Sequence, residues 1–278
     1  TALARGLRPR DRLSPVPQSR IEFLAAPTQG WDTETPVAEL PQTRARVLDN
    51  FLPNGVSITI RKGVDEHVTG IGSAVETLMP YNAGASQVMF AAAGTAIYNV
   101  TAAGAVGAAV VTSLTNARFG HVNFRTTGGA YLWICNGADD PRHWNGSAWA
   151  VPSLSMTTYN DNDIFYVFES KQRLFFLFNN ALTFGYLPAD SVAGTVANFG
   201  VGSVFTYGGR LVAGGKIARD SGDGLDDYTC FLTSEGELVV YSGSNPADAN
   251  DWARVGTYFV GEPVGDRPII DLGGDLGV

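Results

Sequence analysis

The stretch Arg173-Leu-Phe-Phe-Leu-Phe-Asn-Asn180-Ala-Leu-Thr-Phe184 is an apolar run, a two-asparagine break and a second run. Strand-forming residues on both sides of a turn-forming pair predict a β-hairpin. The same grammar recurs on either side of it. It is found in Ser86-Gln-Val-Met-Phe-Ala-Ala-Ala-Gly94-Thr-Ala-Ile-Tyr98, in Ala130-Tyr-Leu-Trp-Ile-Cys-Asn-Gly137 and in Thr229-Cys-Phe-Leu-Thr-Ser-Glu-Gly236-Glu-Leu-Val-Val-Tyr241. An earlier member is Val47-Leu-Asp-Asn-Phe-Leu-Pro-Asn-Gly55-Val-Ser-Ile-Thr-Ile60.

Spacing converts these hairpins into an architecture. Gly94, Gly137 and Asn180 lie 43 residues apart, Gly236 follows after 56, and Gly55 precedes Gly94 by 39. The longer step coincides with a polar insertion, Asp220-Ser-Gly-Asp-Gly-Leu-Asp-Asp227. A period of about 40 to 45 residues built only of short strands is that of a four-stranded propeller blade. Arg118-Phe-Gly-His-Val-Asn-Phe124 and Ile164-Phe-Tyr-Val-Phe168 supply innermost strands, and Ser73 to Met79 reads as a strand rather than a helix. The expectation is an all-β chain with a β-propeller-like repeat of about 43 residues over 43–278. A sandwich or split barrel is the competing architecture. The final stretch, Pro268 to Val278, offers the first strand and turn of another hairpin, so the last blade is expected to be incomplete. An unpaired edge of that kind is normally covered or paired.

Composition agrees with an ordered, turn-rich chain. Of 278 residues 45% are hydrophobic and only 17% charged, and 33 glycines make roughly 12% against a usual ~7%. Residues 1–42 differ, with Pro9, Pro15, Pro17, Pro27, Pro36 and Pro41 arguing for an extended arm. Arg5, Arg8, Arg10, Arg12 and Arg20 face Asp11 alone in the first twenty residues, whereas residues 220–278 carry twelve acids against Arg254 and Arg267. The net charge of -8 disfavours a general nucleic-acid binder, since phosphate affinity comes from clustered Lys and Arg. Cys135 and Cys230, each in an apolar run, read as buried free thiols, and two cysteines exclude a disulfide framework. No run approaches the ~18 apolar residues of a membrane span, and the first twenty residues offer no apolar core for a secretory signal. Folding in a cytoplasm is the expectation.

Few residues suggest chemistry, and no cofactor and no catalytic residue are expected. His67, His121 and His143 sit at no metal-ligand spacing. His143 follows Asp139-Asp140-Pro-Arg, which is ordinary turn chemistry. Asp220, Asp223, Asp226 and Asp227 have the composition a hard cation prefers but not the spacing of a calcium loop, so they remain weak metal candidates and are read as a solvated acidic loop between blades. A hydrolase would need two of Asp139, Asp140, Asp223, Asp226 and Asp227 to face one cavity. Tyr98, Trp144, Trp149, Tyr186, Tyr241 and Trp252 recur near strand ends and read as packing residues, a carbohydrate-stacking surface being the alternative.

Several strings resemble phage-encoded structural proteins: Ala26-Pro-Thr-Gln-Gly-Trp31, Val47-Leu-Asp-Asn-Phe51, Leu114-Thr-Asn-Ala-Arg-Phe-Gly-His-Val-Asn-Phe124, Asn136-Gly-Ala-Asp-Asp-Pro-Arg142 and Phe231-Leu-Thr-Ser-Glu-Gly-Glu-Leu-Val-Val-Tyr-Ser-Gly243. Over most of its length the chain is similar to tail or virion proteins related in organisation to the tail nozzle and packaged-DNA stabilisation proteins of short-tailed bacteriophages. That resemblance implies a propeller-containing, non-enzymatic virion subunit, made in the host cytoplasm and arranged as a homo-oligomeric ring, often a hexamer. The ring sits below the portal and adaptor and forms a channel that retains and later conducts the genome. Members of the group continue past the Gly-Gly-Asp-Leu motif into further strands, where this chain stops. The implied partners are other tail and adaptor proteins and the passing DNA, without sequence-specific binding and without a membrane. A channel that lets DNA slide should avoid phosphate contacts, which nominates Asp223, Asp226, Asp227, Glu235 and Glu237 as channel-facing. The five arginines of the arm would dock on an adjacent ring. A host-surface or glycan-binding propeller at the tail tip is the alternative.

Overall fold

The computed structural model describes residues 24–220, 225–265, 267–272 and 276–277. The chain divides into two compact units, Thr1–Asp65 and Glu66–Val278. The division therefore falls later than the 42/43 boundary expected from composition. The Val47–Ile60 hairpin, assigned by spacing to the repeat, belongs to the amino-terminal unit. It forms there as β1 (Phe51–Pro53) paired antiparallel with β2 (Ile58–Ile60).

Residues 24–42 are not an extended arm. Pro36 and Pro41 each head a tight turn, closed by Glu39 N–H to Pro36 O and Arg44 N–H to Pro41 O, both 2.9 Å. These turns bring residues 30–32 beside 45–46, with Ala45 N–H donating to Gly30 O and the Trp31 indole N–H to Arg46 O. The buried Asp32 carboxylate organises the loop, accepting from the Thr35 amide at 3.0 Å, the Thr35 hydroxyl at 2.8 Å and the Arg44 guanidinium at 2.7 Å. Hydrogen bonds from the Thr35 amide, then from the Arg44 guanidinium and the Thr35 hydroxyl, hold this carboxyl well below the ordinary 3.8. A depressed carboxyl stabilises the folded state above its unfolded value and loses that contribution as pH falls through the folded value. Asp32→Ala is therefore expected to speed amide exchange at Thr35 and Ala45 at neutral pH, and wild-type exchange at these amides should approach the variant's only in strong acid. Unchanged exchange in the variant would remove the carboxylate from this role.

The second unit is all-β, with several antiparallel sheets. Its first sheet holds β4 (Val75–Ala83), β5 (Ser86–Ala93) and β6 (Ala96–Asn99), flanked by the short parallel pair β3 (Val68–Thr69) and β7 (Gly104–Ala105). The second holds β8 (Gly120–Thr126), β9 (Gly129–Cys135), β10 (Arg142–Trp144) and β11 (Trp149–Ala150), hydrogen-bonded in chain order. Next comes β12 (Leu154–Ser155), which pairs in parallel with β16 (Gly194–Thr195). The third sheet runs β13 (Ile164–Ser170), β14 (Arg173–Phe178), β15 (Thr183–Tyr186), β17 (Ala197–Gly200). The fourth is β18 (Leu211–Asp220), β19 (Leu225–Thr233), β20 (Glu237–Ser242) and β21 (Ala253–Phe259). A last pair, β22 (Ile270–Asp271) with β23 (Leu276–Gly277), is present as two short strands, where the sequence suggests one strand and a turn.

The four sheets begin at Val75, Gly120, Ile164 and Leu211, intervals of 45, 44 and 47 residues. Gly94, Gly137, Asn180 and Gly236 all lie between the second and third strands of their sheets, with φ of 57°, 69°, 54° and 81°. That left-handed region is costly for most L-residues, which is why glycine and asparagine occupy the position. The described ends of the acidic insertion lie within a sheet rather than between two. Ala218 pairs with Asp227, Arg219 with Asp226 and Asp220 with Leu225, so the β18–β19 ladder runs on into the segment that composition assigned to a loop.

Successive sheets pack face to face, and both faces of the middle strands are buried. On β14, Leu174, Phe176 and Phe178 share a cluster with Trp133 and Cys135 of the second sheet, while Phe175 and Leu177 share another with Phe231 and Val239 of the fourth. Leu132 and Ile134 on β9 turn the other way, toward Met79, Phe90 and Ile97 of the first sheet. This double burial explains the unbroken apolar run Leu174-Phe-Phe-Leu-Phe178, since a strand covered on one side would alternate. On the far face of the fourth sheet, Val212, Cys230, Leu232, Leu238 and Val240 are covered by Ile269 and Leu276. Polar clamps join neighbouring sheets as well: Asn82 N–H to Asn123 Oδ1 at 2.9 Å, Asn179 Nδ2 to Gly137 O at 2.8 Å and the Ser170–Thr229 hydroxyl pair at 2.7 Å.

Candidate functional site

The first strands of successive sheets lie close to one another, and glycine sets the spacing. A Cβ on Gly120 of β8 would stand 3.0 Å from Phe165 O and 3.3 Å from Tyr166 Cα of β13, so a side chain there would push the strands apart. The Tyr166 hydroxyl continues the contact, donating to Gly214 O of β18 at 3.1 Å. Between the first and second sheets the link is Thr77, buried on β4. Its hydroxyl donates to Ala117 O at 2.8 Å and accepts from Phe119 N–H at 3.0 Å.

A cavity of about 630 Å³ opens among these strands, lined by Phe119, His121, Phe165, Arg118, Glu76 and Arg267 with others. Arg267 comes from the segment before β22. Its Nη2 donates to Thr77 Oγ1 at 2.9 Å and to Phe119 O at 3.3 Å, a contact across 190 residues of chain. Arg118 and Glu76 pair at 3.3 Å. The largely enclosed His121 has its pKa lowered from 6.5, chiefly by burial and further by the Arg267 charge, so its imidazole is neutral near neutral pH. Chemically the cavity offers a cation, a neutral imidazole and aromatic walls. Among the described residues it presents no pair of facing carboxylates.

Of the residues nominated by sequence, few meet at one place. Glu237 is buried, not exposed to a channel. Its carboxylate accepts the backbone N–H groups of Thr206 and Tyr207 at 2.8–3.0 Å, tying the segment before β18 to the start of β20. A buried carboxylate needs such donors, and the hairpin register turns this side chain inward. Glu235 is half-buried in the β19–β20 turn, accepting from Ser234 Oγ at 3.1 Å. Asp227 is half-buried on β19. Asp223, the side chains of Asp220 and Asp226, and Arg5, Arg8, Arg10, Arg12 and Arg20 lie outside the described residues. Among the described residues, no group of three or more His, Cys, Asp or Glu is placed to hold a metal ion.

In the Asp139–His143 segment the Asp139 carboxylate is engaged by its neighbours. Asp139 accepts from the amide and hydroxyl of Thr115, both at 2.8 Å, and from Asn136 Nδ2 at 2.6 Å. Burial alone would raise its pKa, but these hydrogen bonds outweigh that and hold it below the ordinary value. His143 pairs on β10 with Trp133 and meets the Tyr131 ring edge-on at 5.4 Å. Of the recurrent aromatics, Tyr186, Tyr241 and Trp252 are buried, Trp144 and Trp149 pack edge-on against Phe90 at 5.1 and 4.9 Å, and Tyr98 is half-buried. Cys135 and Cys230 are free and buried, burial pushing both thiols up, that of Cys230 to about 12. No helix among the described residues is long and apolar enough to cross a membrane.

Sequence reasoning missed Thr77 and Arg267 as partners and noted His121 only for lacking metal-ligand spacing. Local pattern holds no signal for them, because each acquires its neighbour through the stacking of sheets. The chain matches no protein-family model and no curated protein.

Proposed function

We propose that the chain is a non-enzymatic structural subunit of a bacteriophage virion, built on a β-propeller-like repeat. Copies assemble as a ring, hexameric in this reading, in the tail around the path of the packaged DNA. The observation that carries the reading is the succession of four antiparallel sheets at intervals of 45, 44 and 47 residues, stacked face to face. The resemblance of five strings to phage structural proteins supplies the biological setting. The acid excess after residue 220 suits a passage that does not hold phosphates. With Glu237 buried, Asp223, Asp226, Asp227 and Glu235 remain as channel-facing candidates, and the five arginines before residue 21 are assigned to contact with an adjacent tail or adaptor protein.

The alternative, a glycan-binding propeller at the tail tip, would call for exposed Trp or Tyr around a pocket. Tyr186, Tyr241 and Trp252, three of the aromatics that the sequence offered for such a surface, are instead consumed in packing. Native mass spectrometry with single-particle imaging of the purified chain tests the choice. A closed ring of fixed copy number with an open axis is expected. A monomer that binds glycan saturably would replace the ring with the alternative.

A further inference from the structure

The chain contains three Asn–Gly pairs, 54–55, 136–137 and 145–146, which directly follow β1, β9 and β10. Glycine has no Cβ to keep its backbone nitrogen away from the preceding side chain. The three pairs share one local geometry. In each, the asparagine Oδ1 accepts the backbone N–H groups two and three residues on: those of Val56 and Ser57 at 3.1 and 2.6 Å, of Ala138 and Asp139 at 3.2 and 2.8 Å, and of Ser147 and Ala148, both at 2.9 Å. The glycines have φ of +85°, +69° and +95°. They differ in where the glycine N–H goes. That of Gly55 donates to Thr28 O at 3.0 Å and that of Gly137 to Ile164 O at 2.9 Å, whereas that of Gly146 has no acceptor among the described residues. Asn145 and Gly146 are both exposed, while Asn136 is buried with its Nδ2 donating to Asn116 O and Asp139 Oδ2.

We propose that Asn145 is a site of spontaneous covalent modification, losing its side-chain amide to become aspartate and isoaspartate. The Gly146 nitrogen gives up its proton to solvent hydroxide and attacks Asn145 Cγ. A C–N bond forms between them, the Cγ–Nδ2 bond breaks, and Nδ2 leaves as ammonia after taking a proton from water. The product is a cyclic imide, and water opens it at either carbonyl, leaving a carboxylate on the side chain or routing the backbone through it. During the attack negative charge gathers on Oδ1. Ser147 N–H, Ser147 Oγ–H and Ala148 N–H, each 2.9 Å from that atom, are placed to stabilise it. Asn54 is equally provided, with the Ser57 hydroxyl at 3.1 Å as its third donor, so the glycine N–H separates the two sites. At residues 55 and 137 that group must first leave a backbone carbonyl, which costs a hydrogen bond. Opening toward isoaspartate lengthens the backbone of the β10–β11 turn, which Asn145 N–H closes on Ala148 O at 3.2 Å. The inference stands on the turn alone and does not require the ring.

The full chain, incubated in mildly alkaline buffer and digested at intervals, is read by mass spectrometry of the three Asn–Gly peptides. Asn145 is expected to convert at least about tenfold faster than Asn54 and Asn136, the rate equivalent of the hydrogen bond that the other glycines must break. The same incubation in denaturant should bring the three rates together, because each pair then has only its sequence neighbours. Conversion at Asn54 or Asn136 as fast as at Asn145 in the folded chain, or no conversion at Asn145, would overturn the proposal. An equal lead for Asn145 in denaturant would overturn it too, by tracing the lead to sequence and not to the engaged glycine amides. The comparison uses three sites of one unsubstituted chain, so no variant has to fold.

Discussion

Gly236→Ala is expected to lower the unfolding free energy by about 3 kcal/mol or more, the range of strained backbone combined with a main-chain clash. Gly236 closes the turn between β19 and β20 at φ +81°, a region where an L-residue alone costs roughly 1–2 kcal/mol. The larger effect is steric. A Cβ at this position would stand 2.5 Å from Gly261 O and 2.7 Å from Glu262 N, main-chain atoms just past β21 that no side-chain rotation can move. Relief would require the end of β21 to shift, and Val260 N–H donates to Gly236 O at 2.8 Å in that region. Gly94 supplies the control. It has a similar φ of +57°, but its added Cβ would meet only the Ser73 side chain, at 2.9 Å and beyond, which can yield. Denaturant titration of the two variants should therefore rank Gly236→Ala as the more damaging, and equal losses would show that backbone conformation alone sets the cost.

Phe231→Ala is expected to cost about 3–5 kcal/mol, the usual consequence of removing a fully buried aromatic ring. Phe231 is wholly buried between the third and fourth sheets, stacked on Phe184 with centroids 4.2 Å apart and planes 8° from parallel. Phe168 and Phe175 meet it edge-on at 5.7 and 6.1 Å. The surrounding rings belong to two sheets whose spacing is also fixed by Tyr166 to Gly214 and Ser170 to Thr229, so the cavity cannot readily collapse. Partly buried Phe199, at the margin of the same cluster, should lose less on the same substitution. Unfolding followed by intrinsic fluorescence would read both, since Trp252 stacks at the edge of this cluster. A loss at Phe231 no greater than at Phe199 would mean that the sheets repack over the gap.

The turn residues 94, 137, 180 and 236 are legible in the amino-acid sequence because they answer to local chemistry: a positive φ, and a break between two apolar runs. Their shared place between second and third strands follows from that spacing. The inner strands 120–126 and 164–170 are legible for the same reason, being short apolar runs between turns. The boundary at Asp65 is not, because Val47 to Ile60 satisfies the hairpin grammar as well as any later segment does. Asp32 escapes notice likewise, as a carboxylate among prolines that becomes a hub only when Thr35 and Arg44 close around it.

Glu237 and Arg267 mark the limit most clearly. By composition the acid belongs with its neighbours as surface charge, yet it is buried against the amides of residues 206 and 207. The arginine counts by composition only toward a sum, yet it reaches Thr77 across the fold. The amino-acid sequence by itself determined strand content, turn positions and the near-constant interval between sheets, all set by interactions among residues a few places apart. Which strand faces bury, which charges are taken inside and which residues line the cavity were decided only by the stacking of one sheet on the next. Those contacts join positions 30 to 190 residues apart, and no local pattern encodes them.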